Sequence, residues 1–278
     1  MSRQRPLTAL DEVVGRLQRR HGPAAVRWGG GPAPAESWST GIPVLDEVLP
    51  RGLPCGRLAV LTGERGRATG RLTLLQALAA RASRSMEVAY VDLAGTLDPG
   101  FLADLGADLD ACYVVRPPGR ALGPGLAMAR ALVAAGVPWL AVALGGGARR
   151  EPGWEHALSA LVGAVEGRGA VACVSSPSPP AAPLAYASSL TVACAPLDWQ
   201  LAHGDVVGLR VRLRVTKSKV GGVENEGALL LRYPRPHAPA EVVGLPAVVE
   251  EPVVEPVAPP AAATLPALPA AEAERALA

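Results

Sequence analysis

The residues with the strongest chemical suggestion lie between Gly63 and Thr73. The run Gly63-Glu64-Arg65-Gly66-Arg67-Ala68-Thr69-Gly70-Arg71-Leu72-Thr73 follows an apolar stretch at 58–62 and leads into a segment of helical character. Strand, glycine-rich turn and helix is the context in which backbone N–H groups cradle phosphate. A working loop reads G-x-x-x-x-G-K-[ST]; its lysine neutralises phosphate charge and its hydroxyl holds Mg²⁺. Here six residues, not four, separate Gly63 from Gly70, Arg71 stands in the lysine's place and Leu72 in the hydroxyl's. A broad planar guanidinium does not fit where a compact ammonium sits. Taken alone, Gly63, Gly66, Gly70, Arg71 and Thr73 read equally well as a degenerate phosphate loop or as an ordinary glycine-rich turn.

Two further sets of residues invite a reading. Lys217 and Lys219 are the only lysines in a chain otherwise rich in arginine. They share strand parity with Leu209, Val211, Leu213 and Val215, an apolar and therefore core-facing set. Their ammonium groups would then have to leave the core for water or an anion, or simply be solvated at a hairpin tip. The opposite parity carries Arg210, Arg212 and Arg214. Such a stripe could meet phosphates or an acidic surface, or could be a solvated edge that discourages strand pairing. Four cysteines lie far apart with no CxxC pair, which reads as reduced, mostly buried thiols of a cytoplasmic protein. Four scattered histidines give no zinc spacing, so no metal is expected.

The elements that would position these residues follow from pattern. Residues 7–20 repeat Leu7, Leu10, Val13, Val14 and Leu17 at helical spacing, with Thr8 and Asp11 resembling a capping box. With the following short strand they make an N-terminal unit, 1–28, and a Gly/Pro-rich linker, 29–37, comes next. From 38 to 237 apolar strand candidates (58–62, 88–92, 112–115, 139–144, 170–175, 190–193) alternate with helix candidates (71–82, 100–105, 122–135, 154–166). The early strands are continuous apolar runs, as expected of a mostly parallel sheet covered by helices on both faces. Residues 206–216 alternate strictly, and 228–233 follow Gly221-Gly222, so the pair reads as an antiparallel hairpin at the sheet edge. Residues 238–278, rich in Pro, Ala, Val and Glu, read as a disordered tail. That tail holds six glutamates against Arg275, so the body is basic by about seven charges, a modest leaning toward nucleic acid or an acidic partner. No run of about 18 apolar residues suggests a membrane span, and the first residues lack the apolar core of a signal peptide.

Five ordered segments give the chain a family resemblance. Trp38-Ser39-Thr40-Gly41, Leu45-Asp46 and Gly52-Leu53-Pro54-Cys55-Gly56-Arg57 resemble the RecA family's "STG…LD…GLP.GR". Val91-Asp92-Leu93-Ala94-Gly95-Thr96-Leu97-Asp98-Pro99 resembles its "(F/I)D-A-E-x-A-L-D-P". Leu105 to Asp110 resembles "LGVDID", Arg214 to Lys219 resembles "KVVKNK", and Arg20 to Val26 resembles "KRFGKGAIM". The resemblance implies a RecA-like P-loop NTPase core. It also implies what is missing. Ala94 stands where that family has the glutamate that orients the attacking water, and Ala143 where it has the magnesium-organising aspartate. Alanine does neither job, and loss of one transition-state group alone costs about 10²–10³ in rate. No catalytic residue, cofactor or bound ATP is therefore expected. The segment after Val174 is short, proline-rich and free of basic residues, which argues against RecA-type DNA pairing. In the RecA family the lysines matching Lys217 and Lys219 reach a neighbouring protomer's nucleotide, and the N-terminal helix packs on the adjacent subunit. The alternative for this helix is packing on its own core.

In size, degenerate loop and lack of RecA's C-terminal domain the chain resembles the ImuA family of inducible-mutagenesis accessory proteins. That resemblance implies a non-catalytic scaffold or modulator of the bacterial DNA-damage (SOS) response, an accessory of error-prone translesion synthesis. Its partners would be RecA and an error-prone polymerase-like protein, with DNA a candidate ligand. Two other readings compete: a divergent ATP-dependent recombinase using Arg71, and a cell-division inhibitor on the same core. The sequence decides neither oligomeric state nor partner.

Overall fold

The computed structural model describes residues 9–21, 36–49, 52–145, 150–221, 225–236 and 238–245. The expected N-terminal strand, most of the linker and the tail beyond 245 lie outside these. Helix α1 (Ala9–His21) forms where the heptad-like spacing places it. A two-stranded ribbon, β1 (Ser37–Trp38) with β2 (Leu53–Pro54), encloses the short helix α2 (Pro43–Val48). Asp46 ties this entry segment together by accepting from Ser39 Oγ, the Thr40 amide and hydroxyl, and the Gly41 amide.

The core alternates β3 (Arg57–Glu64), α3 (Arg71–Ser83), β4 (Val88–Asp92), α4 (Pro99–Asp104), β5 (Cys112–Val115), α5 (Leu122–Ala135), β6 (Trp139–Ala143), α6 (Trp154–Arg168) and β7 (Val171–Ser178). After it come α7 (Ala182–Ala187), β8 (Leu190–Ala202), β9 (Asp205–Ser218), β10 (Glu226–Arg232) and β11 (Glu241–Leu245). One sheet has the order β11-β10-β9-β8-β3-β7-β6-β4-β5. From β8 to β5 neighbouring strands are parallel, and β9, β10 and β11 add antiparallel. This is the mostly parallel sheet with an antiparallel C-terminal extension that the sequence implies.

The two faces explain why the central strands show no polar alternation. Ala59, Leu61, Tyr90, Trp139, Ala141 and Cys173 pack with Leu74, Leu75 and Leu78 of α3 on one side. Leu58, Val60, Val91, Leu140, Val142 and Val174 pack with α5 and α6 on the other. Both parities are buried, so both must be apolar. Trp139 is fully buried and meets Trp38 edge to face, ring centroids 5.8 Å apart.

Three readings change. Residues 190–193 are only the start of β8, which continues to Ala202 and turns through His203 and Gly204, both at positive φ, into β9. Positive φ at two successive turn residues suits the twist of a tight hairpin. The expected edge hairpin, β9 with β10, is thus inside the sheet. The edge is β11, which pairs with β10 from Ala228↔Leu245 to Arg232↔Glu241. The composition of 238–278 predicts disorder at Glu241–Leu245, which forms this strand instead. A glutamate at its first position and prolines at 239 and 246 disguise a five-residue strand that pairs with β10.

Candidate functional site

The carboxyl ends of parallel strands are where ligands of such sheets bind, and most of the sequence-selected positions gather there. β3 delivers Gly63, and the turn through Gly66 leads to Gly70 and α3. Gly70 has φ +69°, and a Cβ on it would lie 2.4 Å from Leu231 and 2.9 Å from Val211. The turn is therefore pressed onto β9 and β10, where a side chain would clash. Gly63 serves the opposite need. Thr69 is buried, and its hydroxyl lies 2.1 Å from where a Gly63 Cβ would be. The interior of the turn is filled by its own threonine.

Arg71 opens α3 half-buried. Its Nη1 donates to Thr69 Oγ1 at 3.4 Å, and its buried Nε has no hydrogen-bond partner among the described residues. Burial lowers its pKa, and the nearby Cys194 thiol opposes that shift. Thr73, two residues along, is half-buried on the same helix.

Ala94 and Ala143 are both buried. Ala143 stands between Asp92 on β4 and Ser175 on β7 in adjacent register. The one carboxylate in this row, Asp92, has a fully buried side chain. It accepts the amides of Gly95 (2.7 Å), Thr96 (3.2 Å) and Leu97 (3.2 Å) and meets Arg116 Nε at 3.3 Å. Arg116 also donates to Leu97 O at 2.7 Å. Asp92 is thus spent on holding the 93–97 loop. Nothing local in the sequence marks this role for Asp92, because its partner Arg116 lies 24 residues on and the β4–β5 pairing brings them together. Among the described residues no group of three or more His, Cys, Asp and Glu side chains is placed to hold a metal.

Lys217 and Lys219 sit elsewhere, beyond a register shift in the β8–β9 pairing, next to the C-terminal end of α7. Lys217 Nζ donates to Ala185 O and to Ser188 Oγ, and Lys219 Nζ donates to Tyr186 O at 2.8 Å while lying 5.1 Å from the Tyr186 ring centroid. Their heads leave the core, as parity requires, and reach the carbonyl end of a helix rather than water alone. Burial, then repulsion from Lys219, lowers the Lys217 pKa. In the arginine stripe, Arg210 pairs with Asp198 (3.4 Å) and Arg212 with Glu226 (3.3 Å), while Arg214 is exposed.

Of the four thiols expected to be mostly buried, Cys173 and Cys194 are, whereas Cys55 and Cys112 are partly exposed. Cys173 and Cys194 are buried, and burial raises both pKa values, that of Cys194 to about 12. No helix among the described residues is long and apolar enough to cross a membrane.

Compared with known proteins, the chain matches no family model. It is 35% identical over 112 residues to Protein RecA of Synechococcus sp. (strain CC9311), covering 39% of this chain and 29% of that protein. It is 34% identical over 112 residues to Protein RecA of Synechocystis sp. (strain ATCC 27184 / PCC 6803 / Kazusa), covering 39% and 31%. Protein RecA of Streptomyces venezuelae is 35% identical over 113 residues, again 39% of this chain and 29% of the relative. The similar region thus spans under a third of these relatives' length. Similarity and sheet architecture agree on a RecA-like α/β core.

Proposed function

We propose that this RecA-like chain is a non-catalytic scaffold or modulator in the bacterial DNA-damage response, serving error-prone translesion synthesis in the manner its resemblance to the ImuA family implies. The observation that carries the non-catalytic part is the fate of charge at the carboxyl ends of β4 and β6. Ala94 and Ala143 offer no acid, and Asp92 is saturated by three amides and Arg116. Phosphoanhydride cleavage needs a group to orient water and acids to hold the metal. Thr69, filling the glycine turn, and the half-buried Arg71 support the reading that ATP is not a ligand. RecA and an error-prone polymerase-like protein are the proposed partners.

Phosphate release by the purified chain with Mg²⁺-ATP and single-stranded DNA tests the first part, and the expected result is no turnover above buffer. Turnover abolished by Arg71→Ala would instead establish the divergent recombinase reading. Co-purification from damaged cells tests the second part; absence of both RecA and a damage-induced polymerase would refute it.

A further inference from the structure

The end of the sheet opposite the glycine turn holds a cavity of about 780 Å³, in the size range of ligand sites. Several stretches of chain converge on it: Glu36 ahead of β1, Cys55 and Gly56 with the start of β3, the C-terminal half of α6, the end of α7 with Ser189, and Lys219 with Val220 after β9. Backbone hydrogen bonds fix these stretches to one another. Cys55 N donates to Glu36 O (2.7 Å), Gly56 N to Ala170 O (2.9 Å), Ser189 N to Leu58 O (2.8 Å) and Lys219 N to Ser189 O (2.7 Å). The walls are thus formed before any ligand arrives, which spares the cost of ordering them.

The lining divides by chemistry. Leu58, Val162, Ala187 and Val220 are apolar, and Tyr186, 83% exposed, adds an aromatic ring. Arg57 and Glu166 cancel each other at 2.7 Å. Two charges remain. Lys219 Nζ donates to Tyr186 O and has no carboxylate partner among the described residues, so it keeps donors for a ligand. Beside it Ser189 is only 9% exposed, and its hydroxyl makes no hydrogen bond among the described residues. A buried hydroxyl without a partner costs free energy that a ligand acceptor would recover. Glu36 has no cationic partner among the described residues. Burial and then the Glu36 charge raise the Cys55 pKa, which sets this carboxylate near Cys55. Lys219 and Ser189 enter from the β8 side of β3, and Cys55, bridged to Val171, from the β7 side. Two strand spacings, about 10 Å, separate those sides, the reach of about three extended residues.

We infer that this cavity receives a peptide carboxyl terminus: its carboxylate accepts from Lys219 and the Ser189 hydroxyl, an apolar last side chain packs on Val162, Ala187 and Val220, and a lysine or arginine a few residues upstream meets Glu36. An inorganic anion would leave the apolar wall unfilled. The ammonium and carboxylate of a single amino acid are too close together to meet both charges. Free short peptides and the carboxyl end of a partner protein share this chemistry. The inference goes beyond the translesion reading and does not depend on the state of the glycine turn.

The test uses the full chain and a library of random hexapeptides, each with fluorescein on its amino end and a free carboxyl end, read by fluorescence anisotropy. The tightest binders should end in an apolar residue and carry Lys or Arg upstream. The carboxamide form of the best peptide should bind at least ten-fold more weakly. Lys219→Met should weaken binding at least ten-fold and Ser189→Ala several-fold, and Lys219→Arg should keep part of the affinity. Glu36→Gln should weaken the basic peptide several-fold but leave its norleucine analogue unchanged. Urea midpoints of the Ser189 and Glu36 variants should match the parent, so these two decide the matter if Lys219→Met loosens α7. Competition by the unlabelled last three residues alone would assign the site to free peptides, and a need for the longer segment would assign it to a protein's end; both uphold the inference. Equal binding of acid and carboxamide, failure to select any peptide, or binding unchanged by every variant would each overturn it.

Discussion

Asp92 shows how a buried carboxylate can be held by backbone amides and one arginine. It ends a buried strand at the ligand-binding edge of the sheet, yet every contact it makes is internal. Asp92→Asn replaces an acceptor-only carboxylate by an amide whose NH₂ faces backbone donors. Urea unfolding should show a loss of about 2–4 kcal/mol. Arg116→Ala, at a side chain 57% exposed, should lose only about 1 kcal/mol. The thiols make a second prediction. In the folded chain Cys173 and Cys194 hold their protons above the ordinary pKa of 9.0, whereas the unfolded chain releases them. Their contribution to stability is therefore complete below pH 9 and is lost as pH rises from 9 toward 12. Denaturant midpoints measured across that range should fall. An aromatic disulfide reagent should label the half-exposed Cys55 and Cys112 well before the buried pair.

At the scale of elements, the glycine turn is closely packed at both of its ends, Gly63 against Thr69 and Gly70 against β9 and β10. Gly70→Ala imposes a side chain at φ +69° against Leu231 and Val211 and should destabilise the fold by about 2 kcal/mol or more, read from thermal or urea unfolding. If the turn stood clear of β9 and β10, only the positive-φ strain of roughly 1 kcal/mol would remain. The lysines act on α7. Lys217→Met removes a cation from the helix C-terminus and should speed exchange of the α7 amides by a few-fold, consistent with roughly 0.5–1 kcal/mol of local stability. The helical and strand periods of the core were legible because burial on both faces forces long apolar runs. α7 was not, since six residues beginning Ala-Pro carry too little periodicity to register.

For the whole molecule, the position of β11 changes where the ordered core ends. A chain ending at Ala240 lacks β11 and the half-buried Val242 that packs on the core, whereas one ending at Ala247 keeps them. The shorter chain should unfold about 2 kcal/mol more readily in urea. Equal midpoints would show that β11 adds nothing to the fold. The same long-range logic governs the overhang of β8. Its length follows from having β9 as a partner after β3 has ended.

Much of this protein is written in local pattern: the two-faced parallel sheet, the helices that cover it, the order of RecA-like segments, and the alanines at 94 and 143. Each of these depends on residue type and spacing within a few turns of chain, which a single sequence displays. What Asp92 binds, what fills the glycine turn, where Lys217 and Lys219 point, and that β11 exists at all were decided by contacts between distant segments. Such contacts have no period in the sequence, because the side chains that satisfy a buried charge or an open strand are selected by proximity in space.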